Sequence, residues 1–361
     1  MKIIDKYIYK EMALPTIFGI SLFTFIFLID ILVEMMENIL VKNIPAIEVL
    51  EMISYYFPPI LVQTVPMGLL LGVMLTYGNL SSTSELIALE SIGIGIKRFL
   101  MPALILGILM TGLVYFIEEK IVPDSYDKLS LITKKIAYKK PALKIEEKVF
   151  IENIGEYSIY VNGMDQENDI AKNLVVFKKE KDSQYPQIII SKKAEWKDSN
   201  MILSDAKFYK LGSDGEEKLR GSFDKQLIPI NTFFGGFSKN KSKSKSMMGI
   251  SELNKKINTF KEKTDEKLSY EIEYYQKLAI PLSTLILSFL GVMLSVKNNR
   301  SGKGVSFGIS LVIIFLYMMG MNLGKILAKK EILHPAIALG YPNVLLTILS
   351  LILFIRQMRR R

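Results

Sequence analysis

Six stretches of the chain are nearly free of charge and long enough to cross a lipid bilayer: Met12–Ile29, Met52–Tyr77, Phe99–Ile117, Leu278–Val296, Val305–Leu323 and Ile332–Ile355. A spanning helix needs about 20 mainly apolar residues. A charge at its centre costs about 3 kcal/mol to insert, which explains why the interiors of these runs are so clean. Between the third and fourth runs lies one long polar insertion, roughly Glu118 to Tyr270. Its first part, Pro123 to Lys140, reads as a helix leaving the membrane. From Lys148 onward the pattern changes to short β-type runs such as YSIYV, NLVVFK and QIIISKKAEW, separated by Gly, Asn, Asp or Pro. Asp214-Gly215 predicts a hairpin turn, and the Ser/Lys tract Ser238–Ser246 predicts a linker. A helix resumes near Ile250. The fold class that follows is a membrane α-helical protein of six transmembrane helices with an inserted all-β domain. Its parts are residues 1–117, the insertion 118–270, and residues 271–361.

The charges orient this arrangement. Lys97 and Arg98, then Lys297, Arg300 and Lys303, then Arg356, Arg359, Arg360 and Arg361 fall at alternate ends of the runs, on one side of the membrane. By the positive-inside rule that side is the cytoplasm. Both termini are therefore expected inside and the β insertion outside. The same rule accounts for much of the +10 net charge, so nucleic acid need not be invoked. The first run is expected to be a span rather than a signal peptide, because it continues past Asp30 and lacks a small-residue cleavage site.

Between the second and third runs sits SSTSELIALESIGIGIKR, Ser81 to Arg98. It predicts a short cytoplasmic surface helix, about residues 81–93. Ser82-x-x-Glu85 has the form of a capping box. Leu86, Leu89 and Ile92 would form an apolar face, with Gly93 and Gly95 ending the helix. Such a face suits either a groove on a cytoplasmic partner or the lipid headgroups.

Other motifs speak of packing more than chemistry. Gly68/Gly72 in the second run, and Gly304/Gly308 and Gly320/Gly324 in the fifth, have the spacing that lets membrane helices approach closely. Gly304-Val305-Ser306-Phe307-Gly308 matches a nucleophile elbow, but it opens a membrane helix instead of following a strand. The single histidine, His334, lies about 40 Å further along that helix path, so a hydrolase is excluded. With no cysteine and one histidine, thiolate and imidazole metal sites are not expected. No phosphate-binding loop occurs, so any ATP would be used by another polypeptide. Two charges are candidate cavity residues: Asp30 at the end of the first run and Lys325 near the outer end of the fifth. Asp30 could instead pair with a basic residue of a partner subunit. Lys325 either faces the cavity and holds a phosphate or snorkels to the interface.

Several of these residues, taken in order, carry a resemblance. Asp5-Lys6-Tyr7-Ile8 precedes the first span, and Pro58 and Pro66 lie in the second. Ser84-Glu85-Leu86 with Ala88 and Gly93 forms the connecting helix. Pro281-Leu282-Ser283 opens the fourth span, Gly304 to Gly308 the fifth, and Pro342-Asn343 lies in the sixth. The chain thereby resembles the lipopolysaccharide-export permease family LptF/LptG. The resemblance implies an inner-membrane permease that pairs with a second permease of the same family, a heterodimer. It also implies a dimeric cytoplasmic ABC ATPase, which holds the ATP and Mg²⁺, and no cofactor in this chain. Lipopolysaccharide would pass to a periplasmic bridge of β-jellyroll domains, to which the insertion here would belong. Ser84, Glu85, Leu86, Leu89 and Gly93 would then couple to the ATPase, and Asp30 and Lys325 would face the lipid cavity. One departure stands out: family members often carry a base near the outer end of the first span, where this chain has Asp30 and Glu34. Competing readings are a membrane-anchored interaction protein with an external β domain, and an exporter of a different lipid or lipoprotein.

Overall fold

The computed structural model describes residues 3–40, 44–139, 148, 150–154, 157–165, 170–179, 185–197, 200–212, 216–229, 244–260, 262, 264–297 and 303–359. Among them six helices are long and apolar enough to cross a membrane. We label the helices α1 (Ile3–Leu40), α2 (Ala46–Ser82), α3 (Glu85–Ser91), α4 (Ile96–Phe116), α5 (Val122–Lys139), α6 (Ile250–Ile257), α7 (Asp265–Lys297), α8 (Lys303–Lys329) and α9 (Pro335–Arg359). The strands are β1 (Phe150–Ile154), β2 (Tyr157–Asp165), β3 (Ile170–Lys178), β4 (Gln187–Lys197), β5 (Asn200–Leu211) and β6 (Glu217–Pro229). The expected fold class is observed: apolar helices with a β unit inserted among them. The predicted hairpin at Asp214-Gly215 and most of the predicted 238–246 linker lie outside the described residues.

The helices extend beyond the apolar runs that announce them. With 38 residues, α1 is about 55 Å long against a hydrocarbon thickness of about 30 Å. The third span likewise does not stop at Ile117. It passes through one π-helical turn, Ile117–Ile121, into α5. A π turn adds a residue to the helical repeat and re-aims the side chains around it.

The chain divides into two units. In the helical unit, α2 and α7 are the inner helices: 83% and 67% of their most apolar stretches are buried, against 22% for α1. Leu69, Val73, Tyr77 and Leu80 of α2 pack with Ile8 and Met12 of α1, Phe99 of α4, and Leu290 and Met293 of α7. In a bilayer apolar burial does not drive helices together, so close approach and polar contacts must do so. Both are present. A Cβ on Gly72 would lie 2.5 Å from the Thr16 Cα, and one on Gly68 2.6 Å from the Ile20 Cα, so α1 and α2 touch backbone to backbone. A Cβ on Gly324 would sit 1.9 Å from the Ala338 carbonyl oxygen of α9. The Thr24 and Thr64 hydroxyls are 2.9 Å apart. Ser288 donates to the Ala103 carbonyl at 2.7 Å, and the Asn343 amide to the Ala279 carbonyl at 2.8 Å. Gly304 and Gly308 depart from expectation: a Cβ at either meets nothing within 4 Å. Neither packs α8 closely against any other described element.

The β unit is one antiparallel sheet whose strands pair in sequence order, β1 to β6. Its interior contains Ile159, Val161, Leu174, Val176, Ile189 and Leu203. Strict alternation would put residues 171 and 174 on opposite faces, yet Ala171 and Leu174 are both fully buried. The same offset recurs at Ser191/Ala194 and at Leu203/Ala206, although pairing keeps one register on both sides of it. Asn173 and Asp205 take φ 52° at these places, a left-handed conformation that Asn and Asp tolerate better than other side chains. The buried Ser191 hydroxyl lies 2.7 Å from the carbonyls of both Lys193 and Ser204. The sheet therefore bends along one line that crosses β3, β4 and β5.

Candidate functional site

The short helix α3 is held differently from what its sequence suggests. Ser82 is the last residue of α2, and its hydroxyl donates back to the Asn79 carbonyl at 2.9 Å. The residue preceding α3 is Ser84, at φ 60°, with no side-chain cap. The capping box is thus not formed, because the left-handed turn at Ser84 separates Ser82 from the helix start. Glu85 is released from capping and used elsewhere. The Tyr7 hydroxyl donates to Glu85 Oε2 at 2.7 Å, and the Thr83 hydroxyl lies within reach of both Glu85 Oε1 at 2.9 Å and the Asn79 carbonyl at 3.0 Å. The C-terminal end matches expectation. Gly93, at φ 85°, donates its N–H to the Glu90 carbonyl, and Ile94 donates to that of Leu89. Those are the two bonds of a Schellman ending, which favours glycine at the left-handed position.

A second correction concerns the apolar face. Leu86 is 3% exposed and packs into the helical core with Ile8, Tyr77 and Phe99, and Leu89 packs against the same cluster. Leu86 fastens α3 to its own bundle, and Leu89 is only partly covered by it. The surface that α3 does offer is Ile87, Ala88, Ser91 and Ile92, with Glu85 at its edge. Around it, Arg98 at the start of α4 pairs with Asp5 of α1 at 2.6 Å, and the Tyr77 hydroxyl donates to the Phe99 carbonyl. The ends of α1, α2 and α4 are thus tied together beneath α3.

Lys325 lines a cavity of about 120 Å³ bounded by Gln63 and Pro66 of α2, Gln276 and Ser283 of α7, and Tyr317 and Asn322 of α8. The Gln276 Oε1 in this wall is buried and meets no hydrogen-bond partner among the described residues. Met67, Ile280, Met318 and Met321 complete the wall. A mainly apolar cleft with a half-buried ammonium and a few amides and hydroxyls suits an amphipathic group with an anionic end. Asp30 does not join this cavity and is exposed on α1. No group of three or more His, Asp or Glu side chains able to hold a metal occurs among the described residues.

Sequence reasoning missed a third constellation. The π turn presents adjacent acids, Glu118 and Glu119, to two different neighbours. Glu118 pairs with Lys277 of α7 at 2.9 Å, and both side chains are only 6% exposed. Lys277 also donates to the carbonyls of Ser246 and Met248 at 3.1 and 3.0 Å, so its three protons are all used. Glu119 accepts from the Ile250 N–H at 2.6 Å, from the Ser251 N–H, and from the Ser251 hydroxyl, and so caps α6. In the sequence Glu118 reads only as the approximate start of the polar insertion.

Comparison with known proteins agrees with this architecture. A stretch of 136 residues is 26% identical to the uncharacterized protein RP871 of Rickettsia prowazekii (strain Madrid E), covering 38% of this chain and 33% of that protein. The chain thus spans about a third of the length of that curated relative. The model of the family described as lipopolysaccharide export system permease LptF/LptG matches residues 6–356, nearly the whole length. The chain belongs to the LptF/LptG family of lipopolysaccharide export system permeases.

Proposed function

We propose that this chain is one permease subunit of an ATP-driven lipopolysaccharide exporter of the inner membrane, working by transmitted motion without an active site of its own. The observation that supports this most is the mounting of α3. A seven-residue helix, too short to be stable alone, is fastened through Leu86 to the helical core and keeps an exposed face of Ile87, Ala88 and Ile92. Pressure on that face from a cytoplasmic ATPase dimer would pass to α1, α2 and α4 through Tyr7–Glu85, Asp5–Arg98 and Tyr77–Phe99.

In this reading the termini and α3 are cytoplasmic and the β sheet is periplasmic, where it hands lipid to a β-jellyroll bridge. A second permease of the family faces the sparsely buried α1 and α8. The lipid lies between the two permeases, and Lys325 meets one of its phosphates. ATP and Mg²⁺ belong to the ATPase. The test is Glu85→Ala in reconstituted vesicles. Membrane insertion is expected to be intact, while ATP hydrolysis no longer drives lipopolysaccharide release. Normal release by this variant would overturn the coupling role of α3.

A further inference from the structure

Glu85 stands at the edge of the exposed face of α3, where its Oε2 accepts from the Tyr7 hydroxyl at 2.7 Å. Its Oε1 lies 2.9 Å from the Thr83 hydroxyl, whose single proton can also go to the Asn79 carbonyl at 3.0 Å. The two hydroxyls come from different parts of the chain, 78 residues apart in one case. Tyr7 is itself fixed. It lies on α1 between Asp5, paired with Arg98, and Ile8, which is fully buried. A tyrosine has only two side-chain torsions to fix, so it reaches across from α1 at little entropic cost. An ionised carboxylate has about four acceptor positions. At most two are filled by donors among the described residues, which leaves others for a cationic side chain.

We propose that Tyr7 is a positioning residue, holding the Glu85 carboxylate in one orientation so that it meets a basic side chain of the ATPase already ordered. This rests on the reading of α3 as the coupling helix. A free glutamate must be immobilised when it docks, and an ordered one need not be. The hydroxyl of Tyr7 thus acts on affinity through Glu85 and through no contact of its own with the ATPase.

The experiment uses the full chain with its partner permease in nanodiscs and titrates the purified ATPase of the export system. The readout is the ATPase concentration that gives half-maximal ATP hydrolysis. Tyr7→Phe is expected to raise it roughly 3- to 10-fold, and Glu85→Gln to raise it further. The double variant should be no worse than Glu85→Gln alone, since without the carboxylate there is nothing to orient. A Tyr7→Phe variant equal to the parent, or a loss that adds to that of Glu85→Gln, overturns the proposal and leaves the coupling role of Glu85 standing. A Glu85→Gln variant that binds like the parent removes the coupling reading, and this proposal with it.

Discussion

The buried pair Glu118–Lys277 gives the most quantitative prediction. The ions lie 2.9 Å apart with 6% of each side chain exposed, and Lys277 also holds two carbonyls of the segment leading into α6. Lys277→Ala would leave Glu118 as an uncompensated buried charge and free the Ser246 and Met248 carbonyls. Breaking one side of such a pair costs about 3–5 kcal/mol. If that cost falls on the attachment of residues 244–257, local opening rises roughly a hundredfold or more. The chain has no cysteine, so a single Leu253→Cys provides a probe: Leu253 is fully buried against Met248 and Tyr270. Thiol labelling of Leu253→Cys should accelerate by that factor when Lys277→Ala is added. Replacing both partners, Glu118→Gln with Lys277→Met, should recover part of the protection, because no ion is left without a counterion although the Ser246 and Met248 carbonyls still lose their donor. Equal labelling rates with and without Lys277 would refute the reasoning.

Further predictions follow from the other contacts. Gly324→Val should lower the melting temperature in detergent, since overpacking costs about 1–3 kcal/mol and the obstructing atom is the Ala338 backbone oxygen; Gly308→Ala, which meets nothing within 4 Å, should leave it near the parent value. Ser191→Val removes the hydroxyl shared by two carbonyls at the bend of the sheet, and should cost about 1–3 kcal/mol, read as faster amide hydrogen exchange in β4 and β5. Lys325→Glu should reduce photocrosslinking between α8 and lipopolysaccharide, and undiminished crosslinking would assign Lys325 to interfacial packing instead.

What the sequence revealed, and what it hid, follows from how local each signal is. Six apolar runs and a stretch of β-type alternation are properties of neighbouring residues, so the fold class and the placing of α3 were legible. Gly93 was also readable, because a Schellman ending needs only a few consecutive residues. The capping box failed for the same reason: its pattern was local, but the chain reverses at Ser84 through a left-handed turn that the pattern does not contain. Leu86 and Ile87 are indistinguishable in hydropathy, and only packing against Ile8 and Phe99 decides which is buried. Tyr7–Glu85 and Glu118–Lys277 join residues 78 and 159 positions apart. Neither pairing leaves a periodic trace, and the π turn that presents Glu118 and Glu119 together shifts the phase by which their neighbours would have been inferred.

The crease in the sheet has a consequence for its shape under load. Curvature there is written into the main chain, by Asn173 and Asp205 in a left-handed conformation and by a serine bridging two carbonyls. It is carried by three neighbouring strands, β3, β4 and β5. A crease fixed by its own backbone is expected to keep its angle when the strands on either side are pushed or pulled.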